Sequence, residues 1–219
     1  MCPPTVDCDD AVGAACTGSV AAGTLLPPGG SVPVFAKNVS SFDFHADIAL
    51  PADGSAGSFG VAIIVDHPPV AGESIPGGAA AFLSVNVSAV RGADATRFVS
   101  MSLCADATCF EPKDKHGLPV GPMFYNFTLP AAASVGTIDV RVLADSTLIE
   151  TFVANGRGVI TLTTLVHPNG GAGLYLVGGR ATEHGPGAGS AGGDVTSGGI
   201  SISNASAWSM CNGQQQPDI

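Results

Sequence analysis

The segment from Thr137 to Thr161 constrains the fold of this 219-residue chain more than any other. Apolar residues alternate with polar ones up to Asp145, which is the period of a strand with one buried face. Asp145-Ser-Thr147 then supplies side-chain oxygens that favour a turn. Asn155-Gly156 is a strong hairpin signal, because both central residues of the favoured turn need a positive φ. We therefore predict three antiparallel strands, over residues 137–144, 148–153 and 159–162.

The composition of the whole chain favours the same class of structure. Glycine (30 residues) and proline (16 residues) are frequent, whereas only 12% of residues are charged and 6% are aromatic. Such a chain suits many short strands joined by turns, and its length suits one domain. Further strands are predicted over residues 42–50, 61–65, 80–87, 98–103, 123–129, 174–177 and 200–208. We expect an all-β fold, a two-sheet antiparallel β-sandwich of the concanavalin A-like or jelly-roll type.

The domain boundaries follow from turn-forming and low-complexity segments. Residues 1–30 contain paired prolines and runs of small residues, so we predict a linker or frayed remnant there. The sandwich is expected over residues 31–211, with a short tail at 212–219. The glycine-rich stretch 178–199 lacks a phosphate-binding pattern and is interpreted as a surface insertion. No transmembrane helix is expected, because no run of about 18 apolar residues is free of turn formers.

Charge and metal-ligand spacing argue against several classes of function. The net charge of −10 reflects a scarcity of Lys and Arg, eight in all, which disfavours nucleic acid and anionic membranes as partners. The Asp and His residues are dispersed without the spacing of a calcium loop or a zinc site, so no metal and no cofactor are expected. His45 is interpreted as a solvated residue on the wet face of a strand. His184 beside Glu183 falls in the glycine-rich stretch, where a catalytic pair would be poorly preorganised.

The segment 137–161 also carries a recognisable side-chain pattern. Its strand is followed by Asp-x-hydroxyl-x-x-Glu-x-Phe, then by Gly-Arg and a Thr-bearing strand. This order resembles the signature of the C-terminal β-sandwich of glycoside hydrolase family 32, which contains invertases, fructan hydrolases and plant-type fructosyltransferases. Residues 58–64 and 103–108 resemble two further strands of that module, in family order. The matching motif positions are Asp145, Thr147, Glu150, Phe152, Gly156, Arg157, Thr161 and, in the closing strand, Trp208.

The resemblance implies a role without catalysis for this chain. In the family, hydrolysis belongs to a separate five-bladed propeller with Asn-Asp-Pro-Asn, Arg-Asp-Pro and Glu-Cys motifs, and none of these strings occurs here. Retaining hydrolysis needs two facing carboxylates, and of the four Glu residues only Glu150 matches a family position, one that belongs to the sandwich. We therefore expect no catalytic residue in this chain. The implied partner is a family 32 catalytic propeller, in cis or in trans, of an invertase-like β-fructofuranosidase acting on sucrose or fructans.

A free-standing lectin-like domain that binds fructose-containing carbohydrate is the alternative. Lectin sites usually present aromatic platforms. The family counterpart of Trp208 is a core residue, and Tyr125 and Tyr175 fall inside predicted strands. The structural-module interpretation is therefore favoured, with Asp145 and Glu150 assigned to architecture.

Sequons and cysteines indicate the secretory pathway. Four of the seven Asn residues start an Asn-x-Ser/Thr sequon. We therefore expect a secreted, cell-wall or vacuolar glycoprotein, although Met1-Cys-Pro-Pro4 lacks the basic start and apolar core of a signal peptide. Six cysteines suit disulfides, with 15 pairings open. The candidate N-glycosylation sites are Asn38, Asn86, Asn126 and Asn204.

Overall fold

The computed structural model describes residues 17–35, 41–64, 79–92, 95–104, 123–130, 136–145, 148–163, 173–179 and 199–209. Within these ranges no helix is present that could cross a membrane. The described residues form thirteen strands: β1 (Thr17–Val20), β2 (Thr24–Leu26), β3 (Ser31–Phe35), β4 (Phe42–Ala49), β5 (Gly57–Ile64), β6 (Ala79–Val87), β7 (Arg97–Cys104), β8 (Met123–Leu129), β9 (Thr137–Asp145), β10 (Leu148–Val153), β11 (Gly158–Thr163), β12 (Gly173–Gly178) and β13 (Ile200–Ser209).

The strands form two sheets in which the neighbours pair antiparallel. The first sheet has the order β1-β13-β4-β9-β10-β11, and β2 also pairs with β13. The second sheet has the order β3-β12-β5-β6-β7-β8. The prediction of a two-sheet antiparallel β-sandwich is confirmed.

Alternation along strands such as β4 and β9 produces the core between the sheets. In β4, Phe44 and Ile48 are fully buried, whereas the polar residues between them are only partly buried. Their register partners on β9, Val142 and Ile138, are buried on the same face. A Cβ added to Gly158 on β11 would lie 2.5 Å from a sulfur atom and 2.6 Å from a ring atom of the second sheet. Glycine at that position therefore allows the two sheets to approach closely.

The expectation that residues 1–30 form a linker or remnant is wrong from residue 17 onward. β1 and β2 both pair with β13, and Leu26 is buried in the core. The sandwich therefore begins before residue 31. These strands have four and three residues, so they carry too little alternation to be recognised in the sequence. Residues 1–16 and the predicted tail at 212–219 lie outside the described residues.

The three antiparallel strands predicted over residues 137–144, 148–153 and 159–162 are confirmed as β9, β10 and β11, with one difference in the turn between the last two. Val153 pairs with Gly158, so the turn contains four residues and not two. Ala154, Asn155 and Gly156 all have positive φ, at 54°, 55° and 74°. The Asn-Gly signal located the turn correctly, but it gave no indication that Ala154 also adopts the left-handed conformation.

A buried arginine ties two loops to the end of the second sheet. Arg97 at the start of β7 is only 1% exposed. Its guanidinium donates to the backbone oxygens of Ser55 at 2.8 Å, Pro51 at 3.2 Å and Ser88 at 3.5 Å. Burial lowers the pKa of Arg97. These bonds satisfy three carbonyl groups that would otherwise be costly to bury.

We predict that Arg97→Met destabilises the fold by about 3 kcal/mol, because the carbonyl groups lose a charged donor and Met cannot replace it. Chemical unfolding followed by circular dichroism measures this loss. Arg91→Met is the matched control, because Arg91 is exposed, and should change stability by less than about 0.5 kcal/mol. Equal effects at the two positions would contradict the structural role of Arg97.

Candidate functional site

An open groove of about 590 Å³ crosses the outer face of the first sheet. Its walls come from the outward positions of β13, β4, β9 and β10 and from the turn after β10. Alternation brings these side chains to one face, since the residues between them enter the core. The groove is lined by Asp43, His45, Asp139, Arg141, Phe152, Asn155, Gly156 and Trp208.

A bidentate ion pair forms the floor of the groove. The Nε of Arg141 donates to one carboxylate oxygen of Asp43 at 2.9 Å, and an Nη atom donates to the other at 2.7 Å. These hydrogen bonds, together with the charge of Asp43, raise the pKa of Arg141. A planar guanidinium held in this way is fixed in orientation. The floor therefore offers preorganised polar groups with little net charge.

Asp139 fixes the turn at one end of the groove. Its carboxylate accepts a hydrogen bond from the backbone N–H of Asn155 at 2.7 Å, and its backbone oxygen accepts from the N–H of Ala154 at 2.9 Å. Both donors belong to residues with positive φ, a conformation that is costly for side chains larger than glycine. Asp139 thus stabilises the strained turn that carries Asn155 and Gly156 into the groove.

Two aromatic side chains stand on either side of the polar floor. Trp208 on β13 is 48% exposed, and Phe152 on β10 is half-buried. Their strands are three steps apart in the sheet, which corresponds to roughly 14 Å. Aromatic faces beside hydrogen-bonding groups suit ligands that have both apolar and polar surfaces. A sugar ring and the surface of another protein domain both fit that description.

The remaining groove residue, His45, is 3.9 Å from a carboxylate oxygen of Asp47, beyond hydrogen-bond distance. Its side chain is 38% exposed, in agreement with its interpretation as a surface residue. Across the described ranges, no three His, Cys, Asp or Glu side chains are placed to hold a metal ion.

The predicted motif residues divide into two groups. Phe152, Gly156 and Trp208 line the groove. The expectation that Trp208 is a core residue is wrong, because its side chain lies on the outer face, whereas Ala205 and Ala207 on the same strand are buried. This difference strengthens the alternative of carbohydrate binding.

Among the other motif residues, Asp145, Glu150 and Thr161 make local contacts outside the groove. Asp145 ends β9 and accepts a hydrogen bond from the hydroxyl of Ser41 at 3.3 Å. Glu150 accepts one from the hydroxyl of Thr161 at 3.5 Å, which ties β10 to β11. Arg157 is exposed in the turn. Thr147 lies outside the described residues, and the architectural assignment of these side chains stays a prediction.

Sequence reasoning missed Asp43, Asp139 and Arg141 as site residues. Each occupies an outward position of a strand that was correctly predicted, so the alternation of that strand was enough to predict its exposure. Their contact could not be predicted in this way, because Asp43 and Arg141 are 98 positions apart and come together only through the register of β4 with β9.

Three of the four candidate glycosylation sites lie on strands and are exposed: Asn86, Asn126 and Asn204. Asn38 lies outside the described residues. Cys104 is disulfide-bonded, as the cysteine content suggested. Because the other cysteines fall outside the described residues, the pairing stays open.

No protein-family model matches the chain, and no curated protein matches it. Its structure is similar to that of fructan 1-exohydrolase IIa from Cichorium intybus, with a TM-score of 0.54 and 18% identity to a variant in complex with 1-kestose. A second structure of the same protein gives 0.52 and 17%. In both cases 90% of this chain is covered but only 35% of the other, so the chain spans about a third of that protein.

The resemblance to the family 32 sandwich is confirmed at the level of the fold. The VIP36 exoplasmic/lumenal domain, in a Ca²⁺- and mannose-bound form, is also similar, with a TM-score of 0.51 and 9% identity. That match covers 90% of this chain and 82% of the other. The sandwich fold is thus shared with both proteins.

We predict that Asp139→Ala destabilises the fold by roughly 1 kcal/mol, because the N–H of Asn155 loses its acceptor in a strained turn. Thermal unfolding and amide exchange at Asn155 measure the effect. Asp47→Ala is the control. Asp47 on β4 is the register partner of Asp139. Its carboxylate lies 3.9 Å from His45, so we do not expect it to hold the turn after β10. Unchanged exchange at Asn155 would show that Asp139 does not hold the turn.

Proposed function

We propose that this chain is the non-catalytic β-sandwich module of an invertase-like glycoside hydrolase, and that it packs on and stabilises a catalytic propeller. The observation that carries the proposal is the combination of two independent features. The Asp145 to Thr161 pattern follows the family signature in order, and the fold matches fructan 1-exohydrolase over 90% of this chain but only 35% of that enzyme. The remaining part of such an enzyme would supply the catalytic carboxylates.

The outer face of the first sheet is the surface we assign to the propeller. It presents the exposed apolar side chains of Trp208, Leu148 and Val159, with Phe152 half-buried among them. The Asp43–Arg141 ion pair lies between Trp208 and Phe152. A mixture of apolar groups with oriented polar groups is typical of interfaces between domains of one protein.

This assignment is tested in the complete protein. Sequencing the transcript upstream of the codon for Met1 should reveal an in-frame propeller with an Asn-Asp-Pro-Asn segment. With that protein, the double variant Trp208→Ala and Phe152→Ala should lower the melting temperature of the propeller by several degrees, because it removes apolar area from the interface. Phe98→Ala is the control, since Phe98 is a similarly exposed aromatic residue on the second sheet.

Two outcomes would count against the docking surface. One is equal destabilisation by the Phe98 variant. The other is an N-glycan on Asn204 in the complete protein, because Asn204 shares the outer face of the first sheet with Trp208 and a glycan there would obstruct docking.

For the chain alone we predict no hydrolysis of sucrose, inulin or levan above a heat-inactivated control, measured as released reducing sugar. The reason is the absence from the sequence of the family's nucleophile and acid/base motifs. Sugar release that is abolished by mutating a carboxylate of this chain would refute the proposal.

A second function, binding of fructose-containing carbohydrate by the sandwich itself, is favoured by the exposure of Trp208 beside the groove. Calorimetric titration with sucrose and 1-kestose tests it. Binding that is lost in Trp208→Ala and kept in Phe98→Ala would place carbohydrate binding ahead of docking. We further propose that the protein belongs to the secretory pathway, on the basis of its sequons and its disulfide-bonded Cys104.

A further inference from the structure

Among the described residues, strand β8 is an edge strand whose own sequence lacks the usual protection against pairing with another chain. Its seven residues, from Met123 to Leu129, include no charge, no proline and no glycine. Within the described ranges it pairs on one side only, with β7. Met123, Phe124 and Tyr125 are 48%, 49% and 43% exposed. An exposed edge of this composition favours association through backbone hydrogen bonds.

The opposite edge of the same sheet is protected. Strand β3 contains Pro33, which has no N–H to donate to another strand. Its pairing with β12 also shifts register between Leu174 and Tyr175. Prolines and bulges are two of the devices by which edge strands avoid pairing. The register of β8 with β7 is continuous, so β8 has neither device.

A sequon lies at the centre of β8. Asn126 starts the sequence Asn126-Phe-Thr128 and is the fourth of the seven residues of the strand. Its side chain is exposed, and its register partner is Ser100. The alternation of β7 places Ser100 on the outer face, since Val99 and Met101 are buried. Asn126 therefore points away from the core.

A second copy of this chain is the partner that we assign to this edge, because β8 can pair with itself without opposing any charges. If β8 pairs antiparallel with β8 of another copy over its full length, the two-fold axis passes through Asn126. Phe124 then lies opposite Thr128 of the second copy, and Tyr125 lies opposite its Phe127. No charged residue of β8 faces another in this register, so no charge repulsion opposes the pairing. The two Asn126 side chains would stand on the same face about 5 Å apart.

We propose that N-linked glycosylation of Asn126 is the modification that keeps β8 from pairing with a second copy of the chain. Two branched glycans cannot fit on one face at the separation of directly opposed residues. The modified edge is closed to self-association, whereas the bare edge is open. The proposal rests on the secretory location proposed above and is independent of what the groove binds.

The chain contains a matched control. Asn86 on β6 also starts a sequon and is exposed. It pairs with Ser100 from the other side, so Asn86 and Asn126 lie in one row on one face, roughly 10 Å apart. Asn86 belongs to an interior strand, however. Loss of its glycan changes solubility in a similar way but exposes no edge.

The experiment uses the full chain secreted from a glycosylating host, with site occupancy measured by peptide mass spectrometry and association by analytical ultracentrifugation. We expect Asn126 to be occupied and the wild-type chain, Asn86→Gln and Thr128→Ser to be monomeric. Asn126→Gln and Thr128→Ala, which both abolish the sequon, should self-associate at least roughly tenfold more tightly. Adding Phe124→Lys to Asn126→Gln should restore the monomer, because a lysine protects an edge.

Should the substitutions impair folding, trimming of the native glycoprotein with an endoglycosidase provides the same comparison on folded protein. The proposal is overturned if Asn126 is unmodified, if its glycan can be removed without association, or if Asn86→Gln associates as strongly as Asn126→Gln. None of these readouts depends on a propeller or on sugar binding, so they are separable from a failure of the proposed function.

Discussion

The pairing of β13 with β4 is the contact on which the first sheet depends. β13 holds β1 and β2 on one side and β4 on the other, so without it the N-terminal strands have no described partner in the sheet. β4 in turn joins β13 to the local β9-β10-β11 unit. Forming this sheet requires contacts between residues far apart in sequence. The chain loses much conformational entropy before these contacts can form. The buried faces of Phe44, Val142 and Ala207 supply the compensating hydrophobic contacts.

Local signals in the sequence were sufficient for the strands that carry strong alternation. The strands at 42–50 and 137–162 follow from residue patterns and turn chemistry that act within a few positions. β1 and β2 were missed because they exist only through β13, which lies near the other end of the chain. The burial of Arg97 was missed for a related reason. Its three carbonyl partners come from two separate loops, and no local sequence pattern indicates that they contact Arg97.

In the candidate site, a sequence pattern predicts which side chains are exposed. Which of them lie side by side depends on the register between strands. The outward positions of β4 and β9 could be read from the alternation, but the pairing of Asp43 with Arg141 follows only from the alignment of the two strands. Trp208 was expected in the core through the family resemblance, and the register of β13 instead places it outside. The groove thus combines residues that motif reasoning selected with residues that it passed over.

The two faces of the sandwich differ in the polar and charged groups that lie beside their exposed apolar side chains. On the first sheet, Trp208 and Phe152 lie beside an ion pair and a carboxylate-stabilised turn, so the polar groups are already oriented for a partner or ligand. On the second sheet, the exposed residues of β8 have no charged neighbour on their own strand. A preorganised polar floor favours specific binding, whereas an uncharged edge leaves its backbone groups open to pairing with another strand. Under the two proposals the physical requirements are therefore opposite: the first face would have to stay accessible, and the edge of the second would have to be closed.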